Sequence, residues 1–362
     1  MRGGVVTPPP ALLAVGRALP PHWVDQETLI GALSTLWAKE HHNVARFAEI
    51  QRATLVSGRH LALPLAEYPA LDTFAKCNEA FVRVGAELGE RAVRDALERA
   101  GLRPADVSHL FFVTVTGIST PSIDAKLVNR LGLPATVKRT PIFGLGCVGG
   151  AAGLARAADA LRAFPDEVAV LVSVELCSLT LQRNDLSVAN AIASGLFGDG
   201  AAAVALAGGA RPAPAALRAP RVLATRSVFY PETEWVMGWD VVETGFKVVL
   251  SAKVPDVVER HVGGDVDRFL ADHGLDRGRI RHFVAHTGGP KVLEAFRRAL
   301  ALPEAALARS WRSLAEVGNL SSASVLFVLG DLLASGEARE GDLGLLAAMG
   351  PGFCSELVLL RW

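Results

Sequence analysis

Apolar residues in this chain gather in two kinds of run. Leu110-Phe111-Phe112-Val113-Thr114-Val115 is nearly unbroken, which predicts a strand buried on both faces. Residues 11–15, 167–174 and 201–206 read the same way. Between these runs the apolar positions recur at helical spacing. Phe81, Val84, Leu88, Val93 and Leu97 form one stripe over 79–100. Gly101 stops that helix and Pro104 prevents its continuation. Residues 116–122 predict a loop and 123–131 a second helix. Residues 148–163 predict a third, weakly amphipathic and crowded with Gly and Ala. A helix of that composition packs closely on all sides, so its place is the centre of the molecule. Residues 23–60 carry helical spacing with many charges and predict a partly exposed helical region. Strands alternating with helices put the chain in the α/β class.

The second half repeats this order, with strands over 221–229 and 280–285, helices over 256–273 and 320–334, and strands over 343–348 and 354–360. The repetition extends to individual residues. Gly146-Cys147-Val148-Gly149-Gly150-Ala151-Ala152-Gly153-Leu154 is echoed by Gly318-Asn319-Leu320-Ser321-Ser322-Ala323-Ser324-Val325-Leu326, with Cys147 and Asn319 separated by 172 positions. Gly101-Leu102 leading to His109-Leu110 is echoed by Gly274-Leu275 leading to His282-Phe283, 173 positions on. A period this long means a duplicated αβ unit and not a solenoid. Two such halves sharing central helices give five layers, αβαβα, and bring Cys147 and Asn319 together at a pseudo-twofold centre. The division expected is a flexible tail over 1–10, a first half over 11–210 and a second over 218–362. The stretch 207–220, rich in Ala, Pro and Gly, is the linker.

Composition removes several functions. The 362 residues carry 37 acidic and 37 basic side chains, so no broad charge favours nucleic acid or stable membrane association. No run of 18 apolar residues occurs, and the N-terminus lacks the apolar core of a signal peptide. Cys77, Cys147, Cys177 and Cys354 show neither CxxC spacing nor clustering with other ligands, as expected for reduced thiols in a cytoplasmic protein without a metal. No dinucleotide fingerprint follows a strand in the first half, and no P-loop lysine motif exists.

Chemistry concentrates at the duplicated centre. Cys147 precedes the Gly/Ala-rich helix, where the positive helix end favours a nucleophilic thiolate; the plainer alternative is a small buried thiol. His286 ends the strand Phe283-Val284-Ala285 and opens Thr287-Gly288-Gly289-Pro290. There it would hold Cys147 as a thiolate–imidazolium pair and shuttle protons, or merely cap the loop. Asn319 at its helix start is a good N-cap, or an amide donor that, with His286, stabilises an enolate or oxyanion. His109 and His282, at the opposite strand ends, read as structural.

Gly146-Cys147, Phe197-Gly198-Asp199-Gly200, His286-Thr287-Gly288-Gly289-Pro290, Gly318-Asn319-Leu320-Ser321-Ser322-Ala323 and Gly350-Pro351-Gly352-Phe353 closely resemble the signature of the type III polyketide synthases, the chalcone synthase-like enzymes of the thiolase superfamily. The resemblance runs from about residue 70 to the C-terminus. It implies a homodimer that uses an acyl-CoA starter and malonyl-CoA without a cofactor. It also implies acyl loading on Cys147, decarboxylation assisted by His286 and Asn319, Claisen condensation, and cyclisation in one cavity. Phe197 matches the family's gatekeeping phenylalanine, and Val248 replaces a second one. Cys177, Thr180 and Ser321 fall at small cavity-lining positions, with Gly352 in the loop that walls the pocket. Thr120 stands in the loop that reaches across the dimer. Arg46, Arg52 and Lys291 are the candidates for the CoA phosphates. The small lining suits a long acyl starter, and members with this look make alkylpyrones or alkylresorcinols. The alternatives weighed are a β-ketoacyl synthase III, which condenses once, a papain-like hydrolase and a catalytically silent scaffold.

Overall fold

The structure, a computed structural model, describes residues 7–37, 44–212 and 217–362. Strands from both halves form one hydrogen-bonded sheet. Its order is Ile280–Ala285, Leu343–Gly350, Cys354–Arg361, Arg221–Phe229, Ala11–Ala18, Asp199–Ala207, Val168–Leu176, His109–Thr114 and Lys138–Phe143. The halves join weakly. Ala11 opposite Arg221 is the one register pair at the seam, flanked by Leu12 N to Pro220 O and Val222 N to Pro10 O. At the inner end of the tail expected over 1–10, Pro9 O also accepts from Arg221 Nη1 at 2.8 Å.

Side-chain alternation along the strands builds the layers. Leu110 and Phe112 join a core with Phe81, Val84 and Leu88 of the outer helix Phe74–Ala100. Phe111 and Val113, on the opposite face, join Leu154, Val325 and Leu326 in a central core. In the second half Leu345 and Ala347 face Val262, Val266 and Leu293, while Leu346 and Ala348 face the central core. Three cores separated by two half-sheets give the five layers the duplication predicts. Among the described residues no helix is long and apolar enough to cross a membrane.

The halves match down to their caps. Gly101 (φ 65°) and Gly274 (φ 68°) both turn left-handed. The following residues close the same 2.9 Å bond, Leu102 N to Leu97 O and Leu275 N to Leu270 O. His109 lies 2.5 Å from Glu167, and His282 lies 3.0 Å from Asp342, so each half ties its strand start to an acid near the start of the neighbouring strand.

Several elements differ from expectation. The region 23–60 contains a two-stranded antiparallel sheet of His22–Asp25 with Gly58–Leu61, which brackets helices Gln26–Trp37 and Val44–Arg52; residues 38–43 within it, and 213–216 of the linker, lie outside the described residues. The strand Lys138–Phe143 escapes the apolar pattern because it is a sheet edge with largely exposed side chains and a proline. It has no counterpart in the second half, where the helix Ala308–Val317 stands at the equivalent place in the chain. The hairpin Met237–Val242 with Gly245–Leu250 is likewise unforeseen.

The central helices Gly149–Ala163 and Ser324–Ser335 meet through their first turns. A Cβ on Gly150 would fall 2.0 Å from Ser322 O, and one on Gly153 2.6 Å from Leu171 Cδ1. The missing side chain at Gly150 is what lets the halves approach, and the one at Gly153 lets the helix settle on its own half's sheet. Gly150→Ala is therefore expected to destabilise by about 3 kcal/mol, at the upper end for overpacking, because the obstructing atom is backbone. Gly31→Ala, on an exposed helix face with nothing within 4 Å, should stabilise by about 0.5–1 kcal/mol. Denaturant unfolding of both variants checks the contrast, and equal effects would show that the contact at Gly150 does not limit packing.

Candidate active site

The chain enters the site through Gly146, whose left-handed backbone (φ 52°) leads into the short turn Gly146–Val148 and then the central helix. A Cβ at Gly146 would strike Pro351 Cδ at 2.7 Å, so the glycine lets the Gly350–Phe353 loop press against the turn that carries Cys147. Cys147 is buried. Its Sγ lies 3.8 Å from Ser321 Oγ, and the Asn319 side chain also hydrogen-bonds it. Asn319 Oδ1 accepts from Ser321 N at 2.8 Å and Ser324 Oγ at 3.2 Å, which leaves its amide nitrogen for the sulfur. The Asn319 backbone anchors the neighbouring wall: its N donates to Leu196 O, and its O accepts from Gly198 N. Phe197 is thereby fixed beside Asn319.

His286 continues the strand Ile280–Ala285, its N donating to Ala347 O at 3.0 Å. The ring is buried, and neither ring nitrogen has a hydrogen-bond partner. Burial pulls it down to about 4, so the imidazole is neutral. Burial likewise pushes the Cys147 thiol up to about 12. Hydrogen bonds from Ser321 and Asn319 oppose that shift, while the charge of Glu175 adds to it. Neither His286 ring nitrogen bonds the sulfur, so the structure shows no thiolate–imidazolium pair. Burial favours the neutral form of both groups against the partial charge of the helix end.

Glu175 was not foreseen. It sits in the apolar strand Val168–Leu176, fully buried. It accepts from Thr116 Oγ1 at 2.8 Å, Val115 N at 3.1 Å and Ser322 Oγ; Ser322 Oγ in turn lies 2.6 Å from Ser173 Oγ. Burial pushes Glu175 up to about 7 despite these bonds. A lone charge inside an otherwise apolar strand was the available signal.

Two cavities adjoin. A small one touches Cys147, Ser321, Phe197, Val248 and Trp239. A larger one, about 210 Å³, shares Phe197, Val248 and Trp239 and extends past Cys177 and Thr180 to Arg59 and a group of leucines. The unforeseen hairpin supplies both Trp239 and Val248. Gly352 lies outside the lining and packs against Phe229. Thr120 is exposed on the loop before Ile123–Leu131. Arg46, Arg52 and Lys291 are exposed and line neither cavity, and Arg52 is forked onto Glu27 at 2.7 and 2.8 Å. Among the described residues no group of three or more His, Cys, Asp or Glu could hold a metal.

Comparison with known proteins bears on this geometry. Residues 5–212 match the N-terminal domain of chalcone and stilbene synthases, and residues 221–362 match their C-terminal domain. The chain belongs to the chalcone and stilbene synthase family. It is 50% identical over 355 residues to a 1,3,6,8-tetrahydroxynaphthalene synthase of Streptomyces peucetius subsp. caesius, covering 97% of this chain and 93% of that one. It is 33% identical to a phloroglucinol synthase of Pseudomonas fluorescens, over 95% and 96% of the two chains. The crystal structure of a 1,3,6,8-tetrahydroxynaphthalene synthase from Streptomyces coelicolor, a type III polyketide synthase, superposes with a TM-score of 0.91 at 31% identity, covering 97% and 99%. This chain is therefore a type III polyketide synthase, a decarboxylating condensing enzyme, and the hydrolase and scaffold alternatives fall away.

The carboxyl of Glu175 gives a pH signature. Folding raises its affinity for a proton from an ordinary value of 4.5 to about 7. Its contribution to stability is therefore full below about 4.5 and lost as pH rises through about 7. Glu175→Gln removes that loss while His286 titrates alike in both proteins. The melting temperature of the variant minus that of the wild type should climb between pH 4.5 and 7 and then level off. A difference independent of pH would count against a buried, proton-binding Glu175.

Proposed function

We propose that this polyketide synthase builds a polyhydroxylated aromatic product from malonyl-CoA, with Cys147 as the acyl carrier. The observation that carries the reading is a buried thiol hydrogen-bonded to Asn319 and Ser321 in a cavity that opens past Phe197 into a larger one. The Cys147 sulfur attacks the starter thioester. A bond from sulfur to the acyl carbon forms, the bond to the CoA sulfur breaks, and the thiol proton passes by way of His286 to the departing CoA. Malonyl-CoA then binds with its thioester carbonyl toward the His286 ring and the Asn319 amide, which supply neutral N–H donors. Loss of CO₂ leaves its electron pair as an enolate held by those donors. The enolate carbon attacks the Cys147 thioester: a carbon–carbon bond forms, the acyl–sulfur bond breaks to return the Cys147 thiolate, and the lengthened chain, now on CoA, reloads Cys147. No cofactor enters this sequence. The aromatic product is favoured because relatives bearing tetrahydroxynaphthalene and phloroglucinol synthase names align along nearly the whole chain.

A second reading, a long-chain acyl starter closing to an alkylpyrone or alkylresorcinol, is favoured by the leucines at the far end of the larger cavity, Leu29, Leu33, Leu36, Leu65 and Leu181. The edge strand Lys138–Phe143, with Phe143 and Ile118 about half exposed beside it, supports a homodimer formed by a second copy across this edge.

Incubation with malonyl-CoA alone, and with acyl-CoAs of graded length, separates the readings by product mass. An aromatic polyketide from malonyl-CoA alone is expected. Products only when a fatty acyl-CoA is present would select the alkyl reading, and a single condensation would point to β-ketoacyl synthase III chemistry. Cys147→Ala should carry no covalent acyl group by intact-protein mass spectrometry. His286→Ala and Asn319→Ala should each slow CO₂ release from malonyl-CoA by roughly two orders of magnitude, about 3–4 kcal/mol of lost donor. Unchanged release in both would remove the enolate role from them.

A further inference from the structure

Arg59 is a buried cation that none of the steps above uses. It stands on the short strand Gly58–Leu61, only 3% exposed, and lines the larger cavity together with Thr180, Cys177 and Phe197. One guanidinium nitrogen, Nη2, donates to Ser194 O. The other, Nη1, is buried with no hydrogen-bond partner. The neighbouring carboxylate of Asp199 favours the charge on Arg59, but its oxygens accept from Ala62 N at 2.6 Å, Ser178 N at 2.8 Å and Ser178 Oγ. Burial lowers Arg59 to about 10, which still leaves it charged at neutral pH. The other cation of the lining, Arg183, is spent on the carbonyls of Pro69 and Tyr68.

A buried guanidinium with an idle N–H is costly unless an anion completes it, and the planar fork matches a carboxylate. An acyl chain tethered to Cys147 and threaded past Phe197 presents its distal end to this cavity. A monocarboxylic acyl group offers Nη1 nothing there. We infer that Arg59 is a specificity-determining residue that binds the free carboxylate of a dicarboxylic acyl starter, of malonyl type, carried on Cys147. This inference rests on the condensing reading above and names its starter class. It also separates two fates of one functional group. In the extender the carboxylate carbon–carbon bond breaks, CO₂ leaves and the electron pair passes to the carbonyl facing His286 and Asn319. In the starter the ion pair with Arg59 holds the charge on the carboxylate and opposes the same loss.

The test compares wild type with Arg59→Met, which keeps the length and removes the charge, and Arg59→Lys, which keeps the charge without the fork. Each is loaded with malonyl-, succinyl-, acetyl- or butyryl-CoA, and the Cys147 adduct is weighed by intact-protein mass spectrometry. Wild type is expected to retain malonyl and succinyl adducts and to prefer succinyl over butyryl by about tenfold or more, the worth of a charge-assisted hydrogen bond. Arg59→Met should reverse that preference and yield acetyl in place of malonyl adducts, with Arg59→Lys intermediate. Equal preference in wild type and a folded Arg59→Met overturns the inference. Should Arg59→Met fail to fold, the wild-type ratio decides alone: equal loading of succinyl and butyryl overturns the inference too. Wild type that loads no acyl group from any thioester instead defeats the condensing reading, an outcome distinct from loss of selectivity.

Discussion

The approach of Gly150 to the carbonyl of Ser322 is the contact on which the site depends. Each central helix is entered through a short tight turn, Gly146–Val148 on one side and Ser321–Ala323 on the other. Only because Gly150 lacks a side chain can the second turn lie against the start of the first helix. That seating sets two further contacts at once: Ser321 Oγ comes to the Cys147 sulfur, and the Ser322 hydroxyl comes to Glu175. The duplication thus does more than repeat a fold. It makes the environment of Cys147 out of the other half of the chain, so that residues far apart in sequence share one buried centre.

Dryness governs the electrostatics. Cys147, His286 and Glu175 all move toward their neutral forms, each mainly through burial. In the proposed decarboxylation a neutral imidazole and a neutral amide would suit a thioester carbonyl, because they would stabilise the enolate as its charge develops without binding the carboxylate of the extender as a counter-ion. A cationic histidine at the same place would favour the malonyl ground state as well and would lower the barrier less. In the proposed reaction, proton transfer from the thiol to His286 would then be coupled to acyl transfer and not completed beforehand.

Much of the fold was legible in the sequence because duplication leaves signals that survive divergence. The left-handed caps at Gly101 and Gly274, the histidines opening paired strands, and the Gly/Ala-rich first turn at Cys147 each meet a backbone or packing need. The surroundings of Cys147 were legible only in part. A helix end can be read from a sequence, whereas the burial that overrides its field cannot. Glu175 was hidden because a charged residue at the end of an apolar run reads as a strand edge until the layers above it are known, and Arg59 because it fell in a charged stretch that reads as partly exposed helix. The strand Lys138–Phe143 and the hairpin carrying Trp239 and Val248 lack a buried face of their own, so periodicity had nothing to report. Arg52 looked free in sequence, yet Glu27 already occupies its fork.

The larger cavity poses a contest that magnitudes can address. Its leucines would reward an alkyl chain by about 0.8 kcal/mol for each buried methylene. An alkyl chain filling the space beside Arg59 would leave Nη1, already buried, without a partner, a standing penalty of about 1–3 kcal/mol or more for a charged donor. A poly-β-keto chain avoids that penalty, since every second carbon carries an acceptor and the methylenes between them still meet leucine. Most hydroxyls of the lining are no substitute for Arg59 in this respect. Thr180 Oγ1 donates to Cys177 O at 2.8 Å, and the Tyr68 hydroxyl lies 2.5 Å from that of Ser178. About four buried methylenes would offset that penalty, so the guanidinium would favour an oxygen-rich chain over a short alkyl tail and much less over a long one.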